Sequence, residues 1–267
     1  MRLFPARILP ARLFPVRNGT AALVAAVGAA LLAPATLPAS AQQLSPRPGA
    51  ALKSPGNALT SAPLHEGSVR AADLLAGTRK CQQISKGKYR ADGGARADVP
   101  VCGTRDAVHW KADMDIDCDG QRTKACNRRT DPLFLHATAY QQSDGRQLNA
   151  ERLPYVVVPG PSRRWNHAAH GITGGTVAAV IHRGQVLYAV VGDTGPTDLI
   201  GEASYAAARA LGIRADPRTG GAASDVTYIF FKGHKATPIE SHRAAVARGD
   251  ALARQFVQDA RAARRPG

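Results

Sequence analysis

Apolar and acidic residues alternate through AVHWKADMDIDCDG, residues 107–120. The acidic members, which we call the acidic ladder, are Asp113, Asp115, Asp117 and Asp119. The apolar residues between them are Met114, Ile116 and Cys118. Because alternate residues of a strand lie on the same face, the pattern predicts a long strand over 107–117 with one face in a core and one strongly acidic face.

Further patterns predict a β-rich domain. Strands are expected at 155–158, 176–182, 185–191 and 225–232, and Arg183-Gly184 between the second and third predicts a hairpin. Helices are expected from Glu202 to Leu211, where Gly212 ends the pattern, and from Glu240 to about Arg261. The fold class predicted from these elements is mainly β with flanking helices, most simply a small β-barrel.

The N-terminal region has the three parts of a secretory signal peptide. Four arginines without an acid precede a short apolar run rich in Ala and Gly, and Ala39-Ser40-Ala41 is a small-x-small cleavage signal. We therefore predict a signal peptide at 1–41, a disordered Pro/Ser/Ala-rich linker at 42–68 and a catalytic domain at 69–267. The protein is expected to be secreted, or periplasmic in a Gram-negative cell, without a stable membrane anchor.

The formal charge of the chain is strongly positive, which limits the kinds of molecule that it is expected to bind. Removing residues 1–41 lowers the formal charge from +15 to +11. Such a surface attracts nucleic acid in some proteins, but here the basic residues are scattered and not interleaved with aromatic side chains, as a single-strand binder requires. A solvated basic exterior is the favoured interpretation, with no nucleic-acid partner and a monomeric state.

Four cysteines in an exported chain predict two disulfides. Three pairings are possible. The favoured one joins Cys81 to Cys102 and Cys118 to Cys126, which makes two short loops. A zinc site built from all four is the alternative, but no C-x2-C pair is present, so neither a metal nor a cofactor is expected.

Four carboxylates so close in sequence disfavour each other's ionisation. A cation, a basic neighbour or a cationic substrate is therefore expected to compensate their negative charge. A calcium loop is one interpretation, since D-x-D-x-D-G runs from Asp115 to Gly120. Cys126 stands where the bidentate Glu of an EF-hand belongs, which weakens it. A solvated acidic loop and a cleft that binds a polycation remain as the other two interpretations.

A second pair of acids lies in YAVVGDTGPTDLIGEAS, residues 188–204. Asp193 is expected at the mouth of a strand that ends at Val191, and Glu202 at the start of a helix. Two carboxylates across a water-sized gap are what inverting glycoside hydrolysis needs. From the spacing alone, an ordinary turn aspartate and an ordinary first-turn glutamate, each stabilised by backbone amides, are the favoured interpretation.

Five segments, in order, resemble the motifs of the fungal-type chitosanases, glycoside hydrolase family 75. They are ADMDIDCDG (112–120), Asp131-Pro132, LNAERLPYVVVP (148–159), YAVVGDTGP with IGEAS (188–204) and VTYIFFKG (226–233). The resemblance implies endo-hydrolysis of β-1,4 bonds in chitosan with inversion, and its two essential carboxylates fall on Asp193 and Glu202. A fainter similarity of DTG and IG to cell-wall lytic enzymes suggests a double-psi barrel.

Chitosan, a cationic polysaccharide, gives the ladder a function. Asp113, Asp115, Asp117 and Asp119, together with Thr194, are predicted to bind substrate ammonium groups. Thr194 and Ser204 are candidates to orient the carboxylate pair. A helix N-terminus at Glu202 would favour it as the base and leave Asp193 as the acid. The alternatives are a peptidoglycan-lytic enzyme and a non-catalytic calcium- or polysaccharide-binding module.

Overall fold

The computed structural model describes residues 65–264, so the predicted signal peptide and most of the predicted linker lie outside the described residues. The elements in chain order are α1 (Ala71–Gly77), β1 (Tyr89–Arg90), β2 (Ala97–Val99), β3 (Cys102–Gly103), β4 (Ala107–Asp117), β5 (Tyr155–Pro159), β6 (Thr176–His182), β7 (Gln185–Gly195), β8 (Glu202–Ser204), α2 (Tyr205–Ala210), β9 (Ala222–Lys235) and α3 (His242–Ala262). A single 3-10 turn, Ala168–His170, lies between β5 and β6.

Six of the strands close into a barrel. Strand β4 pairs in parallel with β8, β8 runs antiparallel to β5, and β5 pairs in parallel with β7. Strand β7 pairs antiparallel with β6, and β6 pairs antiparallel with β9. Strand β9 then pairs antiparallel with β4, which closes the ring. The predicted small β-barrel with flanking helices is therefore confirmed, whereas its double-psi subtype stays a prediction.

The alternation along each strand divides the apolar residues into two layers. One cluster fills the barrel interior and includes Trp110, Met114, Val156, Tyr228 and Phe230. The second cluster lies outside the barrel, where α1 and α3 pack over β6, β7 and β9. The helices thus cover one half of the barrel exterior. On the other half, the acidic side chains of β4 and β8 lie beside Tyr155 and Val157 of β5, which are buried in the same outer cluster as Phe134 and Leu148.

The hairpin and the last helix form where the sequence predicts them. Arg183 and Gly184 both have positive φ, 46° and 80°, as a two-residue type I′ turn requires. The last helix begins at His242, two residues after the predicted start, because the Ser241 hydroxyl accepts a hydrogen bond from the Ala244 amide at 3.2 Å and caps it.

The predicted helix from Glu202 is wrong at its N-terminal end. Glu202–Ser204 is strand β8, and α2 begins only at Tyr205. The reason is pairing, because Asp115 and Glu202 are neighbours in the parallel β4–β8 ladder. Ser204 then caps α2 by accepting a hydrogen bond from the Ala207 amide at 3.2 Å.

Both predicted disulfides are present, Cys81–Cys102 and Cys118–Cys126. At the N-terminal boundary, Glu66 from the predicted linker accepts a hydrogen bond from the Tyr188 amide at 2.7 Å and lies 2.8 Å from His242 Nε2. The chain is therefore held against the barrel before residue 69. No helix within residues 65–264 is both long and apolar enough to cross a bilayer.

Candidate active site

Strand β4 carries the acidic ladder on the barrel exterior, but the four aspartates differ in how far they are buried. Asp113 and Asp117 are only 4% and 5% exposed. Asp115 between them is exposed, and Asp119, just beyond the strand, is partly exposed. The alternation itself is confirmed, since Met114 and Ile116 pack into the interior and Cys118 is buried in its disulfide.

Asp193 and Glu202 lie in one row across the sheet. The paired residues of this row are Asp115 on β4, Glu202 on β8, Val157 on β5 and Asp193 on β7. Directly paired residues present their side chains on the same face. Two strand spacings separate the Cα atoms of Asp193 and Glu202 by about 9–10 Å. The row therefore brings the two predicted carboxylates to one face of the sheet, with strand β5 between them.

A bulge at Gly192 brings Asp193 into that row. Val191 pairs with Val156, but the next pair is Asp193 with Val157, so Gly192 is skipped. A Cβ on Gly192 would lie 2.6 Å from Tyr155 Cβ, which only glycine avoids. The strand continues to Gly195, so the expectation that it ends at Val191 is wrong, and Asp193 is a strand residue.

Two backbone amides fix the Asp193 carboxylate. Its Oδ1 accepts hydrogen bonds from the amides of Ala139 and Thr194, each at 2.7 Å. Burial raises the pKa of Asp193, and the two hydrogen bonds oppose that rise. Thr194 therefore orients Asp193 through its backbone amide.

The C-terminal end of the ladder converges on Asp193. Carboxylate oxygens of Asp117, Asp119 and Asp193 lie within 4.8 Å of one another. Asp117 Oδ1 accepts a hydrogen bond from the Asp119 amide at 2.6 Å, and Asp119 Oδ1 accepts one from the Leu135 amide at 2.7 Å. Burial, and after it the charges of Glu202, Asp119 and Asp193, raise the pKa of Asp117 well above its usual value.

Comparison with known families matches residues 114–261 to the fungal chitosanases of glycosyl hydrolase group 75. The chain belongs to this family. It is 34% identical over 134 residues to Endo-chitosanase C of Aspergillus oryzae, which is 49% of this chain and 33% of that protein. Against the Endo-chitosanase of Aspergillus fumigatus the identity is 30% over 175 residues, 60% of this chain and 73% of the relative. The chain thus spans about a third of Endo-chitosanase C.

Asp193 and Glu202 both lie inside the segment that matches the group 75 family, whereas a second acidic group reaches beyond it. Oxygens of Asp92, Asp113 and Asp115 lie within 4.8 Å of one another. Burial, followed by the charges of Asp115, Asp92 and Glu202, raises the pKa of Asp113 to about 8. Asp92 comes from the turn between β1 and β2, and sequence reasoning missed it because nothing in its own neighbourhood marks it.

The calcium-loop interpretation does not fit the backbone of this chitosanase-family domain. An EF-hand loop wraps its alternate acids around one ion. Here Asp115 and Asp117 belong to an extended strand and to two different acidic groups. His170 lies in the 3-10 turn Ala168–His170, where its Nδ1 accepts a hydrogen bond from Trp165 Nε1 at 3.1 Å.

Proposed function

We propose that this protein is a secreted endo-chitosanase that hydrolyses β-1,4 bonds between glucosamine units with inversion of configuration. The observation that carries the proposal is the row across the sheet in which Asp193 on β7 and Glu202 on β8 lie on either side of β5, on an acidic face. Membership of the group 75 family supports the substrate, and the two disulfides suit an oxidising extracellular compartment.

The proposed roles are Asp193 as general acid and Glu202 as general base. Asp193 donates its proton to the glycosidic oxygen as the bond from that oxygen to C1 breaks. A water molecule attacks C1 from the opposite face and loses its proton to Glu202. The sequence argument for these roles used a helix N-terminus at Glu202, which is absent. The raised pKa of the buried Asp193 supports them instead, because it favours the protonated form.

The acidic ladder is proposed to recognise the ammonium groups of chitosan. Asp115 and Asp119 expose their carboxylates and are placed to contact the polymer, whereas Asp113 and Asp117 act from beneath through their negative potential or their hydrogen bonds. Thr194 completes the proposed contact set beside Asp193. Since the chain as a whole is basic, the electrostatic attraction between the acidic ladder and chitosan has to act locally, within a Debye length of about 8–10 Å.

Replacing Asp115 or Asp92 by Asn is expected to raise KM for chitosan several-fold, and more at low salt, with kcat changed little. Each substitution removes one negative charge from the group that includes the buried Asp113, and partly desolvated ion pairs exceed the roughly 0–1 kcal/mol of exposed ones. Steady-state kinetics at two salt concentrations measure the effect.

Asp259→Asn is the matched control for these two variants. Asp259 lies on α3, against the helix-covered half of the barrel, where it pairs with Arg105 at 3.2 Å. Its KM should equal that of the wild type. If the Asp115 variant keeps the wild-type KM and its melting temperature responds to EDTA, calcium rather than chitosan explains the ladder.

The deciding experiment incubates the purified mature protein with chitosan, chitin and peptidoglycan. We expect a rapid loss of chitosan viscosity, short oligomers, and α-anomeric products in the first minutes by proton NMR. Release of fragments from peptidoglycan alone indicates a lytic enzyme. Binding of chitosan without new reducing ends indicates a non-catalytic module.

A further inference from the structure

Asp117 is a buried acid that the proposed mechanism leaves without a chemical role. Only 5% of its surface is exposed, and in the proposed mechanism it contacts neither the glycosidic oxygen nor the attacking water. It is nevertheless at the centre of the site, within 4.8 Å of carboxylate oxygens of both Asp119 and Asp193. A buried carboxyl so close to the acid of a reaction affects that acid more than it affects substrate binding.

The Oδ1 atoms of both carboxyls accept backbone hydrogen bonds, and the Tyr155 side chain also hydrogen-bonds Asp117. Asp193 Oδ1 is occupied by the amides of Ala139 and Thr194, and Asp117 Oδ1 by the amide of Asp119. Both amide-bound oxygens are acceptors, so a proton carried by either residue belongs on the other oxygen, Oδ2. Two amides hold Asp193, whereas one holds Asp117.

The surroundings of Asp117 supply negative charge and a phenol. The groups that face it are Asp119 beyond β4, Asp193 on β7, Glu202 on β8 and Tyr155 on β5. The main influences on the ionisation of Asp117 are burial and the negative charges of Glu202, Asp119 and Asp193. Burial, and then the neighbouring carboxylates, raise the pKa of Tyr155 well above its usual value, so its hydroxyl remains a neutral donor, 3.1 Å from the Asp119 carbonyl oxygen.

We propose that Asp117 is a positioning residue that shares one proton with Asp193 and so keeps a proton available to Asp193 when chitosan is bound. The proposal rests on the proposed function of Asp193 as general acid. Two buried carboxyls this close cannot both ionise without strong mutual repulsion, and the loss of the second proton is therefore postponed to higher pH. The pair holds one proton over the working range. Because two amides stabilise the ionised form of Asp193 and only one stabilises that of Asp117, the proton rests mainly on Asp117 and passes to Asp193, which lies in the row facing the bond and delivers it.

The proton balance of the cycle is conserved. Asp193 gives its proton to the leaving oxygen, Glu202 takes one from the attacking water, and the pair of Asp117 and Asp193 is then doubly ionised. Repulsion between the two charges drives the uptake of a proton from solvent, which resets the acid. Asp117 itself contacts no reacting atom.

The test is the pH dependence of kcat for Asp117→Asn. A general acid must be protonated, so activity falls as pH rises through its pKa, and the alkaline limb of the profile reports that value. Removing the charge of Asp117 lets Asp193 ionise earlier. We expect the alkaline limb of the kcat profile to move down by at least about one pH unit, while Asp259→Asn, on the helix-covered half of the barrel, leaves it in place.

Direct titration separates this inference from the proposed function. Carboxyl-carbon NMR of protein labelled at aspartate follows Asp193 without substrate, in the wild type and in Asp117→Asn. A lower Asp193 pKa in the variant supports proton sharing even if chitosan is not the substrate. A folded Asp117→Asn protein whose Asp193 titration and alkaline limb both match the wild type overturns the proposal. Asp117→Glu keeps a carboxyl at this position. The alkaline limb of its kcat profile is therefore expected to lie closer to that of the wild type than the limb of Asp117→Asn does.

Discussion

Asp193→Asn and Glu202→Gln should each lower kcat on chitosan by about 10²–10⁴-fold, the contribution typical of one general acid or base. Both substitutions preserve shape. In Asp193→Asn the amide oxygen can still accept from the Ala139 and Thr194 amides that hold the native carboxylate. We therefore expect both variants to fold with melting temperatures near the wild type. Turnover close to normal in either one removes that residue from the mechanism.

The two variants should differ on a substrate that needs no acid. A chitooligosaccharide with a dinitrophenyl leaving group departs without protonation, so loss of the acid costs little on it, whereas loss of the base still prevents activation of water. We expect Asp193→Asn to recover much of its activity on this substrate and Glu202→Gln to recover none. The opposite result assigns Glu202 as the acid and Asp193 as the base.

Periodicity predicted the strands of the barrel well because burial on one face leaves a direct trace in the sequence. The ladder of β4 is the clearest case, since the position of every Asp follows from the alternation with Met114 and Ile116. The same reasoning failed at Glu202, where the three residues of β8 are too few to show a period. Their conformation is set by pairing with β4, a contact between residues far apart in the chain.

The site itself was only partly predictable for similar reasons. Motifs located Asp193 and Glu202, but the bulge at Gly192 that places Asp193 in the row depends on contact with Tyr155 from another strand. Asp92 joins Asp113 only because the β1–β2 turn folds over that end of the ladder. The burial that separates Asp113 and Asp117 from Asp115 likewise comes from chain segments that the ladder sequence does not contain.

Removing either disulfide should destabilise the protein by a similar amount, but only one should impair catalysis. In the chain-entropy description, closing the 8-residue loop of Cys118–Cys126 contributes about 2–3 kcal/mol. Closing the 21-residue loop of Cys81–Cys102 contributes about 3 kcal/mol. For a domain of this size each loss corresponds to a melting temperature lower by roughly 5–12 °C.

The difference lies in what each bridge holds. Cys118 stands between Asp117 and Asp119, and the Asp119 amide is the hydrogen-bond donor to Asp117. Freeing Cys118 from Cys126 loosens that turn and with it the carboxyl cluster around Asp193. Cys102 lies on β3, which flanks β4 near His109, several residues from the acids.

Paired alanine variants measure this difference. Cys118→Ala/Cys126→Ala is expected to lower both the melting temperature and kcat, the latter by about tenfold or more if the cluster is misplaced by around 1 Å. Cys81→Ala/Cys102→Ala is expected to lower the melting temperature and to leave kcat unchanged, and any change in KM reports on Asp92, which lies in the loop that this bridge closes. Thiol titration of the unfolded wild type should find no free thiol. Equal losses of kcat in the two variants, measured well below their melting temperatures, would mean that the turn at Cys118 has no special part in holding Asp117 and Asp119 beside Asp193.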